Sequence, residues 1–255
     1  MNRLAIVLHA HLPYIRHEEP DRLEERWLFE AMTETYLPLI WQLEQLPKEK
    51  ALTLSLSPPL LEMLADPMLQ KRYMNYLQAA QALIRKEKRY GFIETDLLTF
   101  YEERYKRLEE TFLSCNQNVV SLFAQYQDTV SLITTSATHA ILPYMRTIEG
   151  IKAQIEAGLD CFTKHIGFRP KGFWTPECDT GIKCWRVTGK NEEKQPYHRV
   201  EAVNQVKNDA SDFLKKVEQT AANAPFETVP FDAELFGHWW FEGQSGSDDC
   251  RRRDA

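Results

Sequence analysis

The stretch Leu4-Ala5-Ile6-Val7-Leu8-His9-Ala10-His11 decides the fold, because five apolar residues run directly into two histidines. Four later segments repeat this design, in which a short apolar strand ends in polar side chains able to take part in catalysis or binding. These segments lie at residues 51–59, 130–139, 172–178 and 227–232. Polar groups at the carboxyl ends of several parallel strands are typical of a β/α barrel, whose C-terminal rim carries the chemistry.

Helical patterns separate these strands. Apolar residues recur every three to four positions over residues 24–46, 67–89, 96–126, 146–166 and 199–222, which predicts five helices. Pro38 should kink the first helix or mark a break in it, and Gly91 should end the second. Strands that alternate with helices favour a parallel sheet built from crossover connections, so the predicted class is α/β with the helices outside.

The composition indicates a single globular domain without an obvious macromolecular partner. The 255 residues are 43% hydrophobic and 27% charged, and the net charge of -6 argues weakly against nucleic acid. Five scattered cysteines fit reduced thiols in a cytoplasm-like compartment, with a plastid as the eukaryotic photosynthetic alternative. No signal-peptide core, membrane span, phosphate-binding glycine loop or Gly-x-Ser-x-Gly elbow is visible, and the oligomeric state is left open.

Two carboxylates are the candidate catalytic pair. Glu177 follows Trp174 at one strand exit, and Asp232 precedes the aromatic stretch that contains Trp239 and Trp240. Two carboxyl groups suit glycosidic chemistry, in which one attacks the anomeric carbon and the other donates a proton, while aromatic rings stack on sugars. Surface acids near turns, and an aromatic cluster in the core, are the alternatives.

The histidines form the second candidate group. His9 and His11 are two apart on a strand, so both side chains should point the same way, and His139 follows another strand. They could contact sugar hydroxyls, hold a metal ion such as zinc, or be satisfied core residues. His238 lies beside the tryptophans and is a candidate donor to a substrate hydroxyl.

Six segments together resemble glycoside hydrolase family 57, and most closely its 1,4-α-glucan branching enzymes. They occur in the order of the family, and the last two are the most specific. The segments are His9-Ala10-His11-Leu12-Pro13-Tyr14, Glu24-Glu25-Arg26-Trp27-Leu28-Phe29-Glu30-Ala31, Ser55-Leu56-Ser57-Pro58-Pro59-Leu60-Leu61-Glu62, Thr138-His139-Ala140-Ile141-Leu142-Pro143, Phe173-Trp174-Thr175-Pro176-Glu177-Cys178, and residues 231–243.

The resemblance implies an incomplete (β/α)7 barrel that acts on α-glucans such as amylose, glycogen or starch without a cofactor or metal. It implies that Glu177 is the nucleophile and Asp232 the acid/base of a retaining double displacement. An α-1,4 link would be cleaved and an α-1,6 branch formed. The residues expected to bind substrate are His9, His11, His139, Trp174, His238, Trp239 and Trp240.

The sequence also departs from the family. Thr175 replaces a leucine, Glu177 and Asp232 are only 55 positions apart where the family carries a longer insert, and the family's last motif is missing. We therefore expect a partial catalytic domain over residues 1–243, a junction loop at 178–198, a disordered tail at 244–255 and impaired activity. Alternative functions are α-amylase, 4-α-glucanotransferase, a non-catalytic glucan-binding remnant, or a metal-dependent deacetylase-like enzyme using the three histidines.

Overall fold

The computed structural model describes residues 3–20, 22–48, 52–91, 93–176, 199–221 and 226–236. The strands are β1 (Arg3–Ala10), β2 (Leu52–Leu56), β3 (Val130–Thr135), β4 (Phe173–Trp174) and β5 (Phe226–Asp232). The helices are α1 (Leu23–Ala31), α2 (Leu37–Leu43), α3 (Pro58–Ala65), α4 (Pro67–Tyr90), α5 (Thr95–Ser114), α6 (Val119–Gln125), α7 (Ile148–Ile166) and α8 (Arg199–Ala221). The predicted junction at 178–198 and the tail at 244–255 lie outside the described residues.

The five described strands form one sheet in the order β4-β3-β2-β1-β5, and every pairing is parallel. This confirms the α/β class and the strand positions predicted from the apolar runs. β1 lies between β2 and β5, so its carboxyl end has a neighbouring strand end on each side. Parallel strands have to be joined by crossovers, and the described helices supply them.

The sheet is curled into part of a barrel. Three strand spacings of about 4.8 Å separate β4 from β1, so their side chains would be roughly 14 Å apart on a flat sheet. The rings of Trp174 on β4 and His9 on β1 nevertheless lie with their centroids 5.7 Å apart. Side chains on the concave face converge in this way only when the sheet curves around them.

The first predicted helix is interrupted by a π-helical turn at Met32–Tyr36 between α1 and α2. Pro38 is the second residue of α2, directly after this π-helical turn, and a π-helical turn is one of the usual irregularities at a proline within a helix. The turn has a consequence for the site, because it contains Tyr36, which is fully buried.

The prediction of one continuous helix over residues 96–126 is wrong. The segment forms two helices, α5 and α6, separated by Asn116 and Gln117 with φ values of 52° and 66°. Residues in this left-handed region cannot continue a right-handed helix. Gly91 ends α4 as predicted, with φ of 69°, and Gly167 ends α7 in the same way.

The largest fully buried side chains come from the helices as well as from the sheet, and include Tyr36, Tyr73, Phe112, Phe123 and Phe162. At the sheet edge, α8 contacts β5 and buries Val217 there. The apolar periodicity places Leu214 in the buried stripe of α8, but this side chain is 52% exposed, so the buried stripe is narrower than the sequence pattern indicates. No described helix has the length and apolar content of a membrane span.

Candidate active site

The predicted site residues His9 and Asp232 meet at the carboxyl ends of neighbouring strands. In the parallel register, His9 pairs with Asp232 of β5 on one side and with Ser55 of β2 on the other. His11 follows β1 directly, and His139 follows β3. Three separate strand exits therefore deliver a carboxylate and imidazoles to one rim, as parallel topology requires.

The three imidazoles form one cluster. His9 Nε2 lies 2.8 Å from His139 Nε2, so one of these nitrogens donates to the other. The ring of His139 stacks on that of His11 with centroids 3.9 Å apart and planes 10° apart. The rings of His9 and His11 are themselves stacked at 5.8 Å, which confirms that the two side chains point the same way.

Hydroxyl groups orient two of these rings. The Nδ1 atom of His9 is hydrogen-bonded to Ser55 Oγ at 3.1 Å, and that of His11 to Ser57 Oγ at 3.0 Å. Ser55 and Ser57 are the hydroxyls at the exit of β2, and both are fully buried. Each serine therefore fixes the orientation of one imidazole ring through its Nδ1 atom, so that the Nε2 atom can face another partner.

Burial keeps His9 and His11 neutral. Desolvation is the main cause that lowers the pKa of His9 to about 3 and that of His11 to about 3. The charge of His139 is the second cause that lowers both of these pKa values. Neutral imidazoles have one donor and one acceptor nitrogen each, which suits hydrogen bonds with uncharged hydroxyl groups.

His139 is held in place by helix α7. Its backbone has φ of 56°, an unusual value for a residue with a side chain. The side chain of Gln154 accepts a hydrogen bond from the Thr138 backbone N–H at 2.9 Å, and its backbone carbonyl accepts one from Ala137 at 3.0 Å. Gly158 lies so close that a Cβ atom there would be 2.4 Å from the carbonyl oxygen of Thr135. The glycine lets α7 approach the end of β3.

Asp232 ends β5 with an exposed side chain, whereas Glu234, two residues later, is 2% exposed. Glu234 Oε1 accepts hydrogen bonds from the Tyr36 hydroxyl at 2.5 Å and from the His11 backbone N–H at 3.0 Å. Sequence reasoning did not single out Glu234. The only signal was the pairing of two acids in one aromatic motif, which does not show which one is buried.

Burial raises the pKa of Glu234 to about 8, and the charge of Asp232 acts in the same direction. The hydrogen bonds from Tyr36 and from the His11 backbone lower the pKa, but burial outweighs them. Glu234 is therefore largely protonated at neutral pH. It ties the segment after β5 to the exit of β1 and to the π-helical turn, and so positions Asp232 relative to the histidines.

Trp174 lies on the inner face, 8% exposed, with its ring against His9. Its backbone carbonyl accepts a hydrogen bond from the Thr135 hydroxyl at 2.7 Å, which fixes the short strand β4 to β3. The other predicted site residues, Glu177, His238, Trp239 and Trp240, lie outside the described residues. Their roles stay predictions, as does the separation of the two catalytic carboxyl groups.

The histidine cluster also meets the distance requirement for a metal ion. His9, His11 and His139 each offer a ring nitrogen, and these atoms lie within 4.8 Å of one another. Three histidines are a known ligand set for catalytic zinc. The three rings can therefore contact sugar hydroxyls or, with the same nitrogens, hold a metal ion.

A curled parallel sheet with imidazoles and a carboxylate at its strand ends is the architecture of a β/α-barrel glycoside hydrolase. The chain belongs to glycosyl hydrolase family 57, whose family model matches residues 5–181. Over 180 residues, or 69% of the chain, it is 31% identical to a 1,4-alpha-glucan branching enzyme of Thermococcus kodakarensis. The match spans 27% of the length of that enzyme.

Solved structures share the fold. The alpha-amylase AmyC of Thermotoga maritima superimposes with a TM-score of 0.83 at 29% identity, over 95% of this chain and 69% of that one. A family 57 branching enzyme of Pyrococcus horikoshii gives a TM-score of 0.78 at 25% identity, over 99% of this chain and 68% of that one. The predicted barrel type and the resemblance to family 57 are thus confirmed.

Proposed function

We propose that the chain carries the catalytic machinery of an α-glucan branching transglycosylase. The observation that carries the proposal is the exposed Asp232, paired in register with His9 in a cluster of imidazoles of which His9 and His11 are kept neutral by burial. An exposed carboxyl group can reach a bound glycosidic oxygen, while neutral rings can hold sugar hydroxyls without adding charge. The similarity to branching enzymes supports this substrate class.

In the proposed mechanism, Asp232 protonates the oxygen of the α-1,4 link as Glu177 attacks the anomeric carbon. This forms a glycosyl-enzyme. Asp232, now ionised, takes the proton from the 6-hydroxyl of an acceptor glucan, which displaces Glu177 and creates the α-1,6 branch. Glu234 is a positioning residue, and because it is largely neutral it adds little negative charge beside Asp232.

Exposed aromatic side chains in the segments that follow β1 and β3 offer surfaces for sugar rings. Tyr14 follows β1 and is 59% exposed, and Tyr144 follows β3 and is 78% exposed. Exposed aromatic rings near a polar site can stack on the apolar faces of glucose units. They extend the proposed glucan path beyond the histidines on either side of the strand β2 exit.

The test is to incubate the whole protein with amylose and to count new α-1,6 branches after enzymatic debranching. New branches that disappear in Asp232→Asn and in Glu177→Gln support the proposal. Reducing ends without branches would identify an α-amylase instead, and redistribution of α-1,4 chain lengths without branches a 4-α-glucanotransferase. Binding of maltooligosaccharide that Glu177→Gln leaves intact, without any turnover, would indicate a glucan-binding remnant.

The alternative of α-amylase is favoured by one observation, the close superposition with the Thermotoga maritima structure. The same incubation separates the two, since hydrolysis needs water where branching needs an acceptor hydroxyl. A metal-dependent reaction at the three histidines is tested by exhaustive chelation. Loss of activity that returns with added Zn²⁺, and does so equally in Cys161→Ser, which lacks a ligand of the second described metal-binding cluster, would overturn the metal-free mechanism.

A further inference from the structure

Helices α3 and α7 bring three side chains with metal-binding atoms together outside the active site. Cys161 and His165 are four residues apart on α7, so they lie on the same helix face. Glu62 faces them from α3, which packs against α7. The carboxylate oxygen, the thiol sulphur and a ring nitrogen all lie within 4.8 Å of one another.

Two of the separations among these atoms are close to those of ligands around a single tetrahedral ion. Glu62 Oε1 lies 3.5 Å from Cys161 Sγ and 3.0 Å from His165 Nε2. Bonds of about 2.3 Å to sulphur and about 2.0 Å to oxygen or nitrogen place tetrahedral ligands roughly 3.3–3.5 Å apart. Both separations from Glu62 are therefore within a few tenths of an ångström of those around such an ion, and the third pair, Cys161 Sγ and His165 Nε2, lies within 4.8 Å.

The ring nitrogen of His165 supplies a second observation. Nε2 is buried and lies 3.0 Å from Glu62 Oε1, within ion-pair distance when the ring is protonated, but it has no hydrogen bond of normal geometry. A buried polar atom without a hydrogen bond is unusual and costs stability. A cation held between the nitrogen and the carboxylate would satisfy both atoms.

We propose that Glu62, Cys161 and His165 form a site for Zn²⁺ or a similar divalent transition ion, with water as the fourth ligand. A mixed set of sulphur, nitrogen and oxygen donors favours such ions over Mg²⁺ or Ca²⁺. Binding converts the thiol of Cys161 to a thiolate and releases its proton to solvent. The ion would join α3 to α7, the helix that holds the His139 loop.

The protonation state of the Cys161 thiol favours metal binding over redox sensing. Burial, and then the charge of Glu62, raise the pKa of Cys161 to about 12 in the metal-free chain. A thiol that stays protonated is a poor nucleophile and resists oxidation. Metal affinity should therefore rise with pH, since the ion has to displace this proton.

Lys164 competes with the ion. Its Nζ lies 2.9 Å from Glu62 Oε1, but its side chain is 64% exposed and can turn away into solvent. Removing this charge should strengthen metal binding. Lys164→Met should therefore raise metal affinity, whereas a variant that folds poorly would lower it.

The experiment is a Co²⁺ titration of the whole metal-free protein at pH 8, followed by the near-ultraviolet absorption of thiolate-to-cobalt charge transfer. One Co²⁺ should give this band, and Zn²⁺ should abolish it. Cys161→Ser should remove the band, and His165→Ala should weaken binding by more than roughly tenfold. Lys164→Met should tighten it severalfold, and Zn²⁺ should raise the melting temperature of the native chain but not of Cys161→Ser.

Two controls separate this site from other thiols and from the histidine cluster. Cys115→Ser changes the other described cysteine, which is buried and donates a hydrogen bond to the Phe112 carbonyl. This variant should leave the band unchanged. His139→Ala disrupts the active-site cluster and should also leave it unchanged. The proposal is overturned if no band forms, if the band survives Cys161→Ser, or if His139→Ala abolishes it.

Discussion

Replacing Glu234 with glutamine should change how stability depends on pH. Burial raises the pKa of this carboxyl to about 8, from an ordinary value of 4.5. Between these values the folded chain keeps a proton that the unfolded chain has lost. The native state is therefore fully stabilised below pH 4.5 and loses stability as the pH rises through 8.

The effect of Glu234 on the free energy of unfolding can be measured in a pH range where His9 and His11 do not titrate. The pKa values of His9 and His11 are lowered from 6.5 to about 3, so these residues cost stability only as the pH falls below 6.5. From pH 6.5 to pH 8, Glu234 alone among these three should reduce the free energy of unfolding, by about 2 kcal/mol. Glutamine cannot ionise, and its oxygen can still accept from Tyr36 and the His11 backbone.

The measurement is urea unfolding, followed by circular dichroism, of the native chain and Glu234→Gln at several values between pH 6.5 and pH 8. The native chain should lose about 2 kcal/mol relative to the variant across this range. Glu103→Gln, an exposed acid on α5, is the matched control and should follow the native curve. A difference between native chain and Glu234→Gln that stays constant with pH would refute the assignment of a raised pKa.

Three further perturbations test the packing around the site. As the pH falls from 6.5 to 4, the native chain should lose stability because the folded pKa of His9, near 3, disfavours protonation, and His9→Gln should lose up to about 3 kcal/mol less. Parallel urea curves for the two proteins would contradict this. Gly158→Ala should cost about 1–3 kcal/mol, since its Cβ would meet a backbone oxygen at 2.4 Å, whereas Gly150→Ala meets only side-chain atoms; equal melting temperatures would count against it. Arg72→Met should cost roughly 3–5 kcal/mol by leaving Glu25, 2% exposed, without its ion-pair partner, and adding Glu25→Gln should recover part of that loss in the same unfolding assay.

Much of the candidate site follows from local sequence. Alternating polarity and short apolar runs identify strand ends, and parallel strands place their carboxyl ends on one rim. That reasoning is enough to assign His9, His11, His139 and Asp232 to the same rim. It does not show that His139 has a left-handed backbone, or that α7 fixes its loop through Gln154.

The remaining features depend on contacts between residues far apart in the chain. Asp232 and Glu234 are chemically alike and two positions apart, yet one is exposed and the other is sealed against Tyr36, 198 positions away. Glu62 likewise meets Cys161 only because α3 packs on α7. Local pattern by itself determined which residues end strands. Only tertiary packing decided how far the sheet curls and which acids lose their water, because burial is a property of the assembled neighbours.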